Sequence, residues 1–316
     1  MVPSCKVTPS KALAVAFFPM LRAVVLLLAA GALAAGIQPS AAQDKKKDEP
    51  LPPEQVTLKT SDEVPLAATY YPSRLGKDAA AVILVHAYQG NRGDFEVLAL
   101  ALQRAGHAVI AADLRGHGES TGAVPQVRAT DFDAMVRRDL EAVKRFLIEK
   151  NNAGELNIER LGMVGVEMGA AIAINWAALD WSWPVLATGK QGQDVKALAV
   201  ISPEWVYKGL KITDAMTNPH IRGDLSFLIV AGERNPKLLQ ASKRLHNALS
   251  RYHPNPPPQE ADEKQTLWLK TPRTSLQGTQ LMNEKSLNVE QMVLEFVERR
   301  LVNPPYAWSV RKSPLK

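Results

Sequence analysis

A single cysteine, Cys5, stands in a chain of 316 residues, and it lies ahead of the apolar run from Ala23 to Ile37. A lipoprotein acylation site cannot sit there. Beyond that run no thiol remains to form a disulfide or to ligate a metal. Histidine is scarce too: there are six, and none follows His253. No two stand at metal-ligand spacing, and Gly162, Gly165 and Gly169 do not make the G-x-G-x-x-G of a dinucleotide turn. These absences predict a protein without metal or cofactor. The apolar run is 15 residues long, short of the roughly 20 needed to span a bilayer as a helix.

Instead the first 42 residues read as a secretory signal peptide. Lys6, Lys11 and Arg22 precede the apolar run, and Pro39 with the small residues Ser40, Ala41 and Ala42 follows it. Met20-Leu21-Arg22 would also make a compact start, so translation from Met1 or from Met20 stays open. Cleavage after Ala42 removes three basic residues and no acidic one, which lowers the net charge from +6 to +3. So small an excess implies no nucleic-acid partner. The expected location is the periplasm or the extracellular space, with no stable membrane span after cleavage. Residues 43–53 carry Lys45-Lys46-Lys47 among polar residues and proline, and read as a solvated linker.

From residue 54 to 302 the pattern predicts one α/β domain. Gln55–Thr60 and Val64–Tyr71 read as a β-hairpin around Ser61-Asp62. Apolar strands then alternate with amphipathic helices. Strands are expected at Ala80–Ala87, His107–Leu114, Arg160–Val166, Val195–Ser202, Leu225–Ala231 and Thr266–Leu269. Helices are expected at Asp94–Ala105, Thr130–Lys150, Met168–Leu179, Pro236–Tyr252 and Asn288–Val302. Continuously apolar strands imply a mainly parallel eight-stranded sheet covered by helices on both faces. The short stretch between Ser202 and Leu225 leaves no room for a large lid domain, and residues 303–316 form a C-terminal tail.

In an open α/β sheet, sites form beyond the carboxyl ends of the strands. After the third strand stands Val85-His86-Ala87-Tyr88-Gln89-Gly90-Asn91, after the fourth Asp113-Leu114-Arg115-Gly116-His117-Gly118-Glu119-Ser120, and after the fifth Gly165-Val166-Glu167-Met168-Gly169. Together they resemble the α/β-hydrolase superfamily, most closely its serine aminopeptidase-like and dienelactone hydrolase-like branches. The resemblance covers residues 54–302. It implies a G-x-S-x-G turn that lifts a nucleophile to the top of a strand, an acid after the seventh strand and a histidine after the eighth.

At the position that the resemblance gives to the nucleophile stands Glu167. Where the acid is expected stands Asn235, with Glu233 and Glu204 as nearby carboxylates. Where a His-Gly is expected stands Gln277-Gly278, and with no histidine beyond His253 no other placement of the loop supplies one. An amide has no useful basicity at neutral pH, so the chain from nucleophile to base to acid is missing. The resemblance further implies an oxyanion-hole remnant at the backbone N–H groups of Met168 and of Ala87 or Tyr88, with His86 as the histidine close to Glu167. The expectation is a pseudo-hydrolase that binds a small molecule or an envelope protein. The alternative is a hydrolase of esters or amides that uses Glu167. Of the remaining histidines, His107, His246 and His220 read as structural or surface residues, and His117 as a shaper of its turn.

Overall fold

The computed structural model describes residues 49–311 apart from 124–126 and 188. The expected signal peptide and most of the expected linker lie outside them. Eight strands form the central sheet: β1 (Glu54–Lys59), β2 (Pro65–Tyr71), β3 (Ala80–Val85), β4 (Ala108–Ala112), β5 (Asn157–Val166), β6 (Val195–Ile201), β9 (Ser226–Val230) and β10 (Leu267–Lys270). A separate hairpin, β7 (Val206–Tyr207) with β8 (Leu210–Lys211), interrupts the connection from β6 to β9.

The sheet order is β1-β2-β4-β3-β5-β6-β9-β10. β1 and β2 are antiparallel, β2 meets β4 antiparallel, and every later pair is parallel. All six residues of β3 and all five of β4 are buried, as expected for strands covered on both faces. Each Val, Leu or Ile so buried contributes roughly 1.5–3 kcal/mol of transfer free energy. Two apolar clusters result, one on each face of the sheet.

The principal helices are α1 (Glu96–Arg104), α2 (Leu140–Asn152), α3 (Met168–Ser182), α4 (Pro236–Ser250), α5 (Gly278–Asn283) and α6 (Val289–Val297). α2 continues a helix that begins at Ala129, and the five residues Met135–Asp139 between them are wound as a π-turn. That turn brings Asp139, fully buried, onto Arg115: the backbone N–H and Nε of Arg115 donate to its carboxylate at 2.9 and 2.8 Å. Arg115 also clasps Asp62 in the β1–β2 turn at 2.9 and 3.0 Å. The Asp113–Ser120 segment is therefore a lattice of ion pairs and turns that fixes the end of β4.

At the opposite end of the sheet a second charged lattice is buried. Lys144 of α2 pairs with Asp180 of α3, and with Asp194 at 3.2 Å. Arg311 closes it from the C-terminal tail, contacting Asp194 at 2.5 Å and also Glu159. The tail is held along its length, since Asn157, Asn151 and Asn152 donate to the carbonyls of Tyr306, Ser309 and Arg311. Among the described residues no helix is long and apolar enough to cross a membrane.

Candidate functional site

β3 and β5 are adjacent and parallel, with Val85 opposite Gly165, so the loops after both strands open at the same edge. Glu167 sits between the end of β5 and the first residue of α3 with φ +49° and ψ −106°. A side chain held there costs about 1–3 kcal/mol of backbone strain. Two glycines impose it. A β-carbon at Gly169 would strike the carbonyls of Val85 and His86, and one at Gly165 would strike the first turn of α3. Helix and strand pack too closely at the bend for any larger residue, and the residue between them is thrust upward.

The Glu167 carboxylate points over the loop that follows β10. A β-carbon at Gly278 would collide with it, and Gly278 itself has φ +54°. Glu167 is half-buried, and burial raises its pKa above the usual carboxylate range, with Glu204 adding repulsion. No hydrogen bond or ion pair among the described residues holds its carboxylate. The physical reason is its direction, toward the Gly278 α-carbon, which has no donor to offer.

Gln277 belongs to the same loop and is fully engaged. Its Oε1 accepts from Ser202 Oγ at 2.7 Å and from the Gly232 N–H at 3.2 Å, while its Nε2 donates to the Gly232 carbonyl at 3.0 Å. Ser202 Oγ accepts in turn from the Gly278 N–H at 2.9 Å. The primary amide thus mimics a strand partner for the Gly232 peptide and ties together the loops after β6, β9 and β10. Asn235 caps α4, accepting from the Leu238 N–H at 3.2 Å. Glu167, Asn235 and Gln277 therefore stand on converging loops, but their side chains do not bond to one another.

His86 is buried beneath the site, 1% exposed. Its Nε2 accepts from the Leu114 N–H at 3.0 Å, and its Nδ1 lies 2.7 Å from the Ala87 carbonyl. A peptide N–H can only donate and a carbonyl can only accept, so the ring is neutral with its proton on Nδ1. Burial pushes its pKa down to about 4. Neither nitrogen is free for proton transfer, and neither is hydrogen-bonded to Glu167. The ring lies against that of His117, 4.9 Å between centroids and tilted by 54°. His220 is exposed beside Asp224, and His107 is buried under the sheet.

One element of the site had no signal in the sequence: the β7–β8 hairpin. It carries Tyr207 to within 6.4 Å of the Tyr88 ring and 6.1 Å of Phe132, while Tyr88 meets His117 edge-on at 5.5 Å. Lys208 at the hairpin turn lays its ammonium 3.4 Å from the centre of the Tyr88 ring. Tyr207 has its pKa pushed up to about 12, by burial first and then by the charge of Glu167 and Glu204. Glu204 pairs with Lys237 at 2.7 Å, and Glu233 lies near Arg273 at the surface. Among the described residues no group of three or more His, Cys, Asp or Glu is placed to hold a metal ion.

A strand-to-helix elbow on a mainly parallel sheet of this order defines the α/β-hydrolase fold. Residues 76–263 match the family described as serine aminopeptidase, S33, and the chain belongs to that family. Among solved structures it is similar to an esterase of Pyrococcus furiosus, at 18% identity and a TM-score of 0.58, covering 81% of this chain and 94% of that one. A dienelactone hydrolase of Anabaena variabilis is similar at 18% identity and 0.54, covering 79% and 99%. A carboxyl esterase of Bacillus coagulans is similar at 12% identity and 0.54, covering 78% and 98%. No curated protein sequence matches the chain.

Proposed function

We propose that this protein is an exported pseudo-hydrolase: an α/β-hydrolase-fold protein that binds a small molecule or an envelope partner at the elbow and does not turn it over. The observation that carries this reading is the fate of Gln277. Where hydrolysis on this fold needs a base, the chain has an amide whose oxygen and nitrogen are both spent on the Gly232 backbone and Ser202. The imidazole after β3, His86, is locked neutral by two main-chain groups. Glu167, Asn235 and Gln277 are then degenerate forms of the nucleophile, acid and base. What remains useful is the scaffold, in which the N–H of Met168 belongs to the orphan donors at the start of α3, with Ala87 and Tyr88 beside it as the rest of an oxyanion remnant. Export rests on the signal-like first 42 residues.

One observation favours a second reading, a hydrolase that uses Glu167 as a carboxylate nucleophile. The residue keeps its strained backbone, and strain of this kind is retained at working sites. Such a mechanism would still need a base to break the acyl intermediate.

A fluorophosphonate probe followed by intact mass measurement tests the main reading. The expected result is an unmodified protein, together with a small molecule retained when the purified protein is sprayed under native conditions. Covalent labelling would overturn it.

A further inference from the structure

After β9 the chain carries charge of one sign only. From Arg234 to Gln259 there is no Asp or Glu, while Arg234, Lys237, Lys243, Arg244 and Arg251 supply five cations. Most of this stretch is α4, which has no acid in its first turn and has Lys237 there instead. The positive end of a helix dipole disfavours a lysine at that place. A carboxylate from another segment, Glu204, offsets it at 2.7 Å.

These cations share a groove with a tryptophan. Trp205, which follows β6, is half-buried against the core. Together with Lys237, Gln240, Lys243, Arg244 and Asn247 it lines a cavity of about 580 Å³. Positions 237, 240, 244 and 247 recur at steps of three and four, so they form one stripe along the helix, roughly 15 Å long at 1.5 Å per residue. The central carbon of the Arg244 guanidinium lies 4.2 Å from the centre of the Trp205 ring. A guanidinium over a ring spends its face on the contact and keeps its N–H donors at the edge. Among the described residues no acid or carbonyl takes those donors, and none pairs with the Lys243 ammonium.

The rest of the lining narrows the ligand. Gln240 and Asn247 are exposed amides, each able to donate and to accept. A hydroxyl group also does both, whereas a bare phosphate only accepts and would leave the amide oxygens without a donor. Two unpaired cations on so long a stripe suit one charge per sugar, not the denser charge of a sulfated chain or of polyphosphate. We propose that this groove binds the uronate sugars of an acidic polysaccharide. Arg244 grips a carboxylate with its fork, Lys243 adds charge, and Gln240 and Asn247 take the hydroxyls. The groove is a surface apart from the elbow, and the assignment holds whether or not the elbow turns over a substrate.

Calorimetric titration of the full chain with trigalacturonate tests it, beside maltotriose as the neutral sugar, dextran sulfate as the sulfated one and polyphosphate as a polyanion without hydroxyls. The expected result is binding of trigalacturonate that weakens with salt and no binding of maltotriose. Arg244→Ala weakens it about five- to tenfold, the scale of one exposed forked pair. Arg244→Lys recovers only part, because a point charge lacks the fork. Gln240→Ala weakens trigalacturonate and leaves any residual phosphate binding unchanged. These side chains are exposed, so the variants fold. Absence of trigalacturonate binding, equal or tighter binding of polyphosphate or dextran sulfate, or an affinity indifferent to Arg244→Ala overturns the assignment.

Discussion

Gln277→His is the substitution that would restore a histidine where hydrolysis needs one, and the structure predicts that it destabilises the protein instead. The native amide makes three hydrogen bonds, two with the Gly232 peptide and one with Ser202. The two nitrogens of an imidazole point in divergent directions, so the ring cannot embrace both the N–H and the carbonyl of Gly232 as the amide does. At least two of the bonds are lost, each contributing about 0.5–1.5 kcal/mol. Gln277 is part-exposed, so water compensates some of the loss, which leaves roughly 1–3 kcal/mol. For a domain of this size that corresponds to a fall in Tm of about 3–8 °C. Denaturation in urea and by heat, with Gln277→Ala alongside to report the complete loss of the tether, measures it. Native-like stability of Gln277→His would refute the tether, and new ester turnover in that single variant would show the base position to be competent.

Further outcomes follow from the same contacts. Gly278→Ala meets both a left-handed φ and the Glu167 carboxylate; it should cost about 2 kcal/mol or more, and Glu167→Ala in the same chain should restore part of it, a coupling that a double-mutant cycle in urea reads directly. His86 has a folded pKa of about 4 against an ordinary 6.5, so the unfolded chain binds the extra proton: the stabilisation is complete above pH 6.5 and is lost as the pH falls from 6.5 toward 4. Its ring resonances should show no titration above pH 5, and a midpoint near 6.5 would contradict the locked tautomer. Arg311→Ala strips the buried Asp194 of a partner and should lower stability by about 3–5 kcal/mol, whereas an effect below 1 kcal/mol would show that the tail is dispensable.

Periodicity made the sheet legible. All eight strands and the five expected helices occur where apolar alternation placed them, and Phe132, Val136, Leu140, Val143 and Leu147 are all buried along one helical face. Chain order was enough to put Glu167, Asn235 and Gln277 at the ends of their strands. What those side chains do there was not legible, because it depends on contacts far apart in sequence, such as Gln277 with Gly232 and His86 with Leu114. The β7–β8 hairpin was missed for a different reason: two-residue strands carry no period. Nothing in the helical spacing marks Lys144 and Asp180, and only the packing of α2 on α3 shows them to be a buried pair. The π-turn at Met135–Asp139 likewise leaves no mark on the helical spacing, yet it delivers Asp139 to Arg115.

The most direct test of the central claim is steady-state turnover of short p-nitrophenyl esters by the native protein beside its Glu167→Gln variant. The account predicts that both release nitrophenol only at the rate of buffer. Turnover by the native protein that vanishes in Glu167→Gln would contradict it, and would make the strained carboxylate a nucleophile.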